Sequence, residues 1–238
     1  MTQNKLVRSS LLVAVGAVLP ASVAGAGTIL YSNQGFFEGD ATGLGLFQLY
    51  VETFEENNIG GAYAMITPPL SYGVPNNGFP TGLDAFDLSV TSSFGSLFAL
   101  RPNASYWPNI VSTVVGTNSE PAHTILQFGG DGVLAVGFEV WGIQSFTTGL
   151  PEKISYTILG IGGGMIASGL FATPTSGSGA FFGVISDSAI GSIDINGLRF
   201  EVVDTQEYYD NVQAWNIPGP GALALFGLAG LVTRRRRR

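Results

Sequence analysis

Turn-forming residues punctuate this chain, and the segments between them alternate in the manner of half-buried β-strands. Pro68-Pro69, Pro75-Asn76-Asn77-Gly78, Gly129-Gly130-Asp131-Gly132 and Pro174-Thr175-Ser176-Gly177 each interrupt regular structure. Between them the pattern has a period of two. In GVLAVGFEVWG, Leu134, Val136, Phe138 and Val140 share one face, and Val133, Ala135, Glu139 and Trp141 the other. Further strands are predicted over 46–54, 86–91, 110–115, 124–128, 154–159, 180–186, 192–195, 198–203 and 212–215. Asp131-Gly132 and Asn196-Gly197 are predicted to turn hairpins, because both pairs tolerate positive φ. No segment outside the two termini keeps a helical period for ten residues. The fold class expected is all-β, a two-sheet antiparallel sandwich of jelly-roll type.

Composition agrees: 34 of 238 residues are glycine, and the length suits one domain. Charge is unevenly placed. Lys5 and Arg8 stand at the start, Arg234 to Arg238 at the end, and only Arg101, Lys153 and Arg199 between. All 17 acids lie from Glu38 to Asp210, so the body without its ends carries three basic residues against 17 acids, a charge of −14. A body that acidic is no partner for nucleic acid or anionic lipid. The absence of cysteine means that no disulfide supports it.

Both ends look like addresses. Lys5 and Arg8 precede an apolar stretch over 11–19, and Ala24-Gly25-Ala26 has the small-x-small form that signal peptidase accepts. Residues 1–26 are therefore expected to be a signal peptide, cleaved after Ala24 or Ala26. The other end reads IPGPGALALFGLAGLVTRRRRR. As a helix its apolar segment, 222–233, spans about 18 Å. A hydrocarbon core of about 30 Å needs about 20 residues, and Pro218, Gly219 and Pro220 resist extending the helix backwards. The arginines would stop translocation on the cytoplasmic side. Such a segment is marginal as a permanent anchor and is expected to insert transiently as a sorting signal, the alternative being a plain C-terminal membrane anchor.

Prolines, a short glycine-studded apolar helix and a terminal arginine cluster together resemble the PEP-CTERM sorting signal of exported proteins in Gram-negative, exopolysaccharide-making bacteria. The match covers 217–238, with Pro218, Gly219 and Pro220 where the family has Pro-Glu-Pro, and Arg234, Arg235, Arg236, Arg237 and Arg238 as the basic stop. The resemblance implies passage through the export machinery, transient inner-membrane insertion through the C-terminal helix, and processing by an exosortase-like membrane protease. The destination implied is the cell surface or the extracellular matrix. Residues 27–216 form the body. Its runs FGGDGVLAVGFEVWG, FFGVISDSAIGSIDI and YYDNVQAW resemble those of secreted jelly-roll proteins similar to carbohydrate-binding modules. That second resemblance implies a structural calcium ion between an acid near the first long strand, Glu52 or Glu55, and Asp210 near the last.

Catalytic sets are scarce. The single histidine, His123, would have to serve any Ser-His-Asp triad, and no G-x-S-x-G elbow accompanies it. It is expected to be a partly exposed structural residue. Zinc lacks ligands. The run 162–167 matches G-x-G-x-x-A, but no helix follows, so its glycines are expected to ease a strand past a neighbour. A carboxylate pair for a glycosidase or lyase would draw on Glu52, Glu55, Glu56, Glu139 or Glu201. Sugar stacking would use exposed aromatics: Tyr106 and Trp107 between two prolines, Tyr208-Tyr209, Trp215, and Tyr72 in the Tyr-Gly-Val-Pro-Asn-Asn loop. The function expected is non-enzymatic, in adhesion, matrix scaffolding or weak binding of exopolysaccharide. The alternatives are a polysaccharide-acting enzyme and a purely structural surface protein.

Overall fold

The computed structural model describes residues 23–24, 27–102, 112–117, 122–142, 153–174, 179–199, 203–205 and 207–217. In chain order the elements are β1 (Val23–Ala24), β2 (Thr28–Tyr31), α1 (Gln34–Gly43), β3 (Phe47–Glu52), β4 (Tyr63–Ile66), β5 (Leu70–Ser71), β6 (Leu88–Ser92) and β7 (Leu97–Leu100). Then come β8 (Val114–Thr117), β9 (Thr124–Phe128), β10 (Val133–Gly142), β11 (Lys153–Gly160), β12 (Met165–Ala172), β13 (Ala180–Arg199), β14 (Val203–Thr205) and β15 (Glu207–Asn216). Every pairing between these strands is antiparallel, in one open 15-stranded network. The fold is all-β, as the period-two pattern predicts. Among the described residues no helix is long and apolar enough to cross a membrane.

The spine is β13. Its first half lies between β10 and β2, with Gly183 opposite both Gly137 and Tyr31. Its second half lies between β11 and β9, with Ile193 opposite both Ile158 and Leu126. The change of partners falls where the register with β10 jumps from Ile185↔Ala135 to Ile190↔Val133, so residues 186–189 bulge out of that ladder. This corrects two expectations. The strands predicted over 180–186, 192–195 and 198–203 are largely one strand of 20 residues. Asn196-Gly197 turns no hairpin, because Ser155 and Ile154 on β11 pair with both residues in mid-strand. The turn at Gly129–Gly132 does form, with Gly132 at φ 71°, but β9 and β10 do not pair across it. Both instead lie along β13.

Residues that alternate inward meet in one core. Phe138, Phe182, Tyr156, Phe171 and Tyr209 form its aromatic centre, with Phe182 4.9 Å from both Phe171 and Tyr156 and 5.1 Å from Phe138. Aliphatic side chains of β6, β7, β9 and β11 close around them. Burying each such side chain is worth about 1.5–3 kcal/mol.

The helix α1 was not expected. Asn33 caps it by accepting the Phe36 N–H at 3.1 Å, but Gly35, Gly39 and Gly43 weaken it as an isolated segment. Packing supplies the rest. Phe37 is fully buried on the opposite sheet face from the main core, against Tyr31, Phe181 and Trp215. A Cβ on Gly183 would lie 2.8 Å from its ring, and one on Gly137 3.0 Å. Two glycines on neighbouring strands thus make the seat for one phenylalanine.

Candidate functional site

The site begins with a buried acid. Glu52, 1% exposed, ends β3 pointing inward. Its Oε1 accepts the Phe54 N–H at 2.9 Å, and its Oε2 accepts the N–H groups of Asp84 and Ala85, each at 3.0 Å. Burial pushes this carboxyl above its ordinary range, and the amides offset only part of that rise. Phe54 can turn back onto Glu52 because it holds a left-handed φ of 54°. Its own ring is buried against Phe79.

What Glu52 pins is a loop that presents an aromatic ring to solvent. Phe86 follows Ala85 and is 62% exposed, and Tyr72 from the neighbouring loop is 45% exposed. Their rings meet edge to face at 5.2 Å. The backbone is tied on both sides. The Tyr72 N–H donates to Leu88 O at 3.1 Å, Gly73 N–H to Leu83 O at 3.1 Å, and Gly129 N–H to Asp87 O at 2.8 Å. Asp87 takes a φ of 60°, uncommon outside glycine. Asp84 and Asp87 are exposed on either side of Phe86. Asn76 and Asn77 spend their side chains on the backbone of Met65 and Thr67, which covers the free edge of β4. The corner therefore combines rigid exposed rings with carboxylate acceptors. That is the chemistry of stacking on the C–H face of a sugar while accepting from its hydroxyls.

Tyr72 was a stacking candidate from sequence; Phe86 was missed. The strand predicted over 86–91 absorbed it, whereas β6 starts two residues later, at Leu88. An aromatic flanked by acids, Asp84-Ala85-Phe86-Asp87, was the available signal. Tyr208, Tyr209 and Trp215 are buried. Tyr106 and Trp107 lie outside the described residues, as do Ala26, Pro218, Gly219, Pro220 and Arg234 to Arg238. Ala24 lies in β1, opposite Ala167.

Glu55, Asp210 and Glu139 are engaged within the fold. Glu55 accepts the Thr113 N–H at 2.7 Å. Asp210 is fully buried and accepts from the Ser112 hydroxyl and, at 2.7 Å, from the Asn211 N–H. Glu139 faces Asp210 across β10 and β15 and accepts from Asn211 Nδ2 at 3.2 Å. Burial first, then the Glu139 and Glu55 charges, push Asp210 up to about 7 even against those hydrogen bonds. Among the described residues no three His, Asp or Glu side chains gather to hold a metal. Glu52, Glu55 and Asp210 each accept a backbone N–H.

Glu207 is also fully buried and reaches across four strands. Its Oε1 accepts the Thr117 and Thr124 hydroxyls, each at 3.0 Å, and its Oε2 the Gly197 N–H at 3.1 Å. Burial pushes it up to about 8. His123, with its side chain 37% exposed, sets Nδ1 3.1 Å from Asp194. Ser93 Oγ accepts the His123 backbone N–H at 2.8 Å, and among the described residues no serine hydroxyl bonds the His123 ring. The glycine run after β11 is the hairpin into β12, with Gly163 at φ 76° and the Gly160 N–H on Gly164 O at 2.8 Å.

No protein-family model and no curated protein matches the chain. Among solved structures it is similar to the enzymatically active domain of tailspike protein 4 of bacteriophage CBA120, at a TM-score of 0.31 and 13% identity over 56% of this chain. The chain spans about a fifth of that domain, 20% of its length, and so slight a likeness carries no argument.

Proposed function

We propose that this chain is an exported, non-enzymatic glycan-binding protein, delivered by its PEP-CTERM-like tail to the cell surface or the exopolysaccharide matrix. Its body is a two-sheet sandwich of jelly-roll type whose loops carry the binding groups. The observation that supports glycan binding is the Tyr72–Phe86 corner, two exposed rings on loops that a buried carboxylate and backbone hydrogen bonds hold in place. Rings held so before the ligand arrives lose little conformational entropy on binding. An enzyme is the weaker reading. The concrete carboxylate pair, Glu139 and Asp210, has one member fully buried, out of reach of a polysaccharide.

The test uses protein exported by the full chain and recovered after its own processing. The producing organism's exopolysaccharide should retain it, and Phe86→Ala or Tyr72→Ala should release it while leaving the melting temperature in place. Retention unchanged by both substitutions would remove the corner from the proposal. Polysaccharide degradation that disappears in Glu139→Gln would favour the enzyme instead. No retention at all would favour a purely structural surface component.

A further inference from the structure

We infer that export processing cuts the Ala26–Gly27 bond and that the α-ammonium group created on Gly27 forms an ion pair with Asp187, locking the new N-terminus onto β13. The inference rests on the export reading above and deepens it by choosing between the two cleavage positions.

Gly27 is held against β13 before any cleavage. Its carbonyl accepts the Asp187 N–H at 3.2 Å, which extends the β2–β13 ladder by one step beyond Thr28↔Ser186. Asp187 stands in the bulge that β13 makes where it changes partners. Its carboxylate turns back over Gly27, so closely that a Cβ on that residue would lie 2.0 Å from Oδ2. The Gly27 nitrogen is about 2.5 Å from that Cβ position, which places it within about 4.5 Å of Oδ2. Position 27 must be glycine twice over, for this approach and for its φ of 89°.

Oδ1 of Asp187 accepts the Ser188 hydroxyl at 3.2 Å. Among the described residues Oδ2 accepts nothing and Asp187 forms no ion pair. A carboxylate with one free oxygen thus sits beside the nitrogen that cleavage would charge. Hydrolysis adds one water, leaves a carboxylate on Ala26 with the departing signal peptide, and leaves a protonated amine on Gly27. Cleavage after Ala24 would put that charge on Gly25, up to about 7 Å further along an extended chain. The competing charges are remote or engaged. Of the acids on α1, which also packs on β2, Asp40 receives the Tyr31 hydroxyl at the far end of β2 and Glu38 receives the Gln34 amide. Asp194, further along β13, pairs with His123.

The full chain, expressed with its own signal in a Gram-negative host, gives the material for the test. N-terminal sequencing of the exported protein should read Gly27 first. The body has one lysine, Lys153, so isotopic methylation of the amines yields two resonances to titrate. The α-amine should titrate about half a unit above its ordinary range of about 7.7–8.0, and Asp187→Asn should bring it back. The melting temperature should show the matching sign. A raised amine stabilises below its unfolded value and loses that effect as pH rises. The deficit of Asp187→Asn should therefore be present near pH 7 and gone near pH 10. A first residue of Gly25, or a Gly27 amine indifferent to Asp187→Asn, would overturn the inference with export intact. A first residue from the extreme N-terminus would overturn the export reading, and the inference with it.

Discussion

Glu207 and Asp210 stand three residues apart on β15, and burial lifts both carboxyls into the neutral range, to about 8 and about 7. Folding then favours the protonated forms, whereas the unfolded chain ionises near the ordinary values of 4.5 and 3.8. Between those values and the folded ones the native state binds more protons, so stability falls as pH rises from about 4 to about 8 and levels off above. Melting scans across that window should show the decline. Glu207→Gln should flatten its upper part, because the amide does not titrate while its carbonyl can still accept the Gly197 N–H and its NH2 can donate to the threonine hydroxyls. Glu52 is likewise buried and shifted upward by burial, but it serves the candidate site. Glu52→Ala leaves the amides of Phe54, Asp84 and Ala85 without their acceptor, at about 1–3 kcal/mol for each buried one. It should lower stability by several kcal/mol and abolish glycan retention. Phe86→Ala removes a largely exposed ring, changes stability by less than about 0.5 kcal/mol, and should abolish retention alone. Denaturant titration beside a binding assay separates the two.

Among the elements, α1 depends most on its surroundings. Phe37→Ala should cost about 3–5 kcal/mol. Gly183→Val should cost a comparable amount from the other side, because its Cβ enters the space of the Phe37 ring. Chemical denaturation of both variants and of the double variant tests this: a double variant that loses clearly less than the sum shows that the two positions form one contact. This helix also marks where sequence runs out. Strands such as β9 and β10 follow from alternation and their flanking turns, since both signals are local. α1 rests on glycines in β10 and β13, about a hundred residues away or more, which no local period reports. The single long β13 was hidden for the opposite reason. Gly191 and Asn196-Gly197 read locally as interruptions, and only pairing with β9, β11 and β14 keeps the strand running through them. At the site, Tyr72 was visible as an aromatic in a turn-rich loop. Phe86 was not, because Glu52, more than thirty residues earlier, decides where its loop ends.

The whole molecule joins an acidic body to two basic ends. If the tail is a transient sorting signal, intact-mass measurement of protein from the native surface should lack Arg234 to Arg238. A mature protein that keeps them would be anchored by some other route. The body charge of −14 also predicts that binding to anionic polysaccharide weakens at low ionic strength and recovers with salt, whereas binding to neutral glycan should be indifferent. The central claim is that a rigid aromatic corner on an exported β-protein holds exopolysaccharide. Retention of the exported protein on the producer's own exopolysaccharide, wild type beside Phe86→Ala, tests it most directly. The account predicts a retained wild type and a released variant of equal melting temperature; retention of both, or of neither, would contradict it.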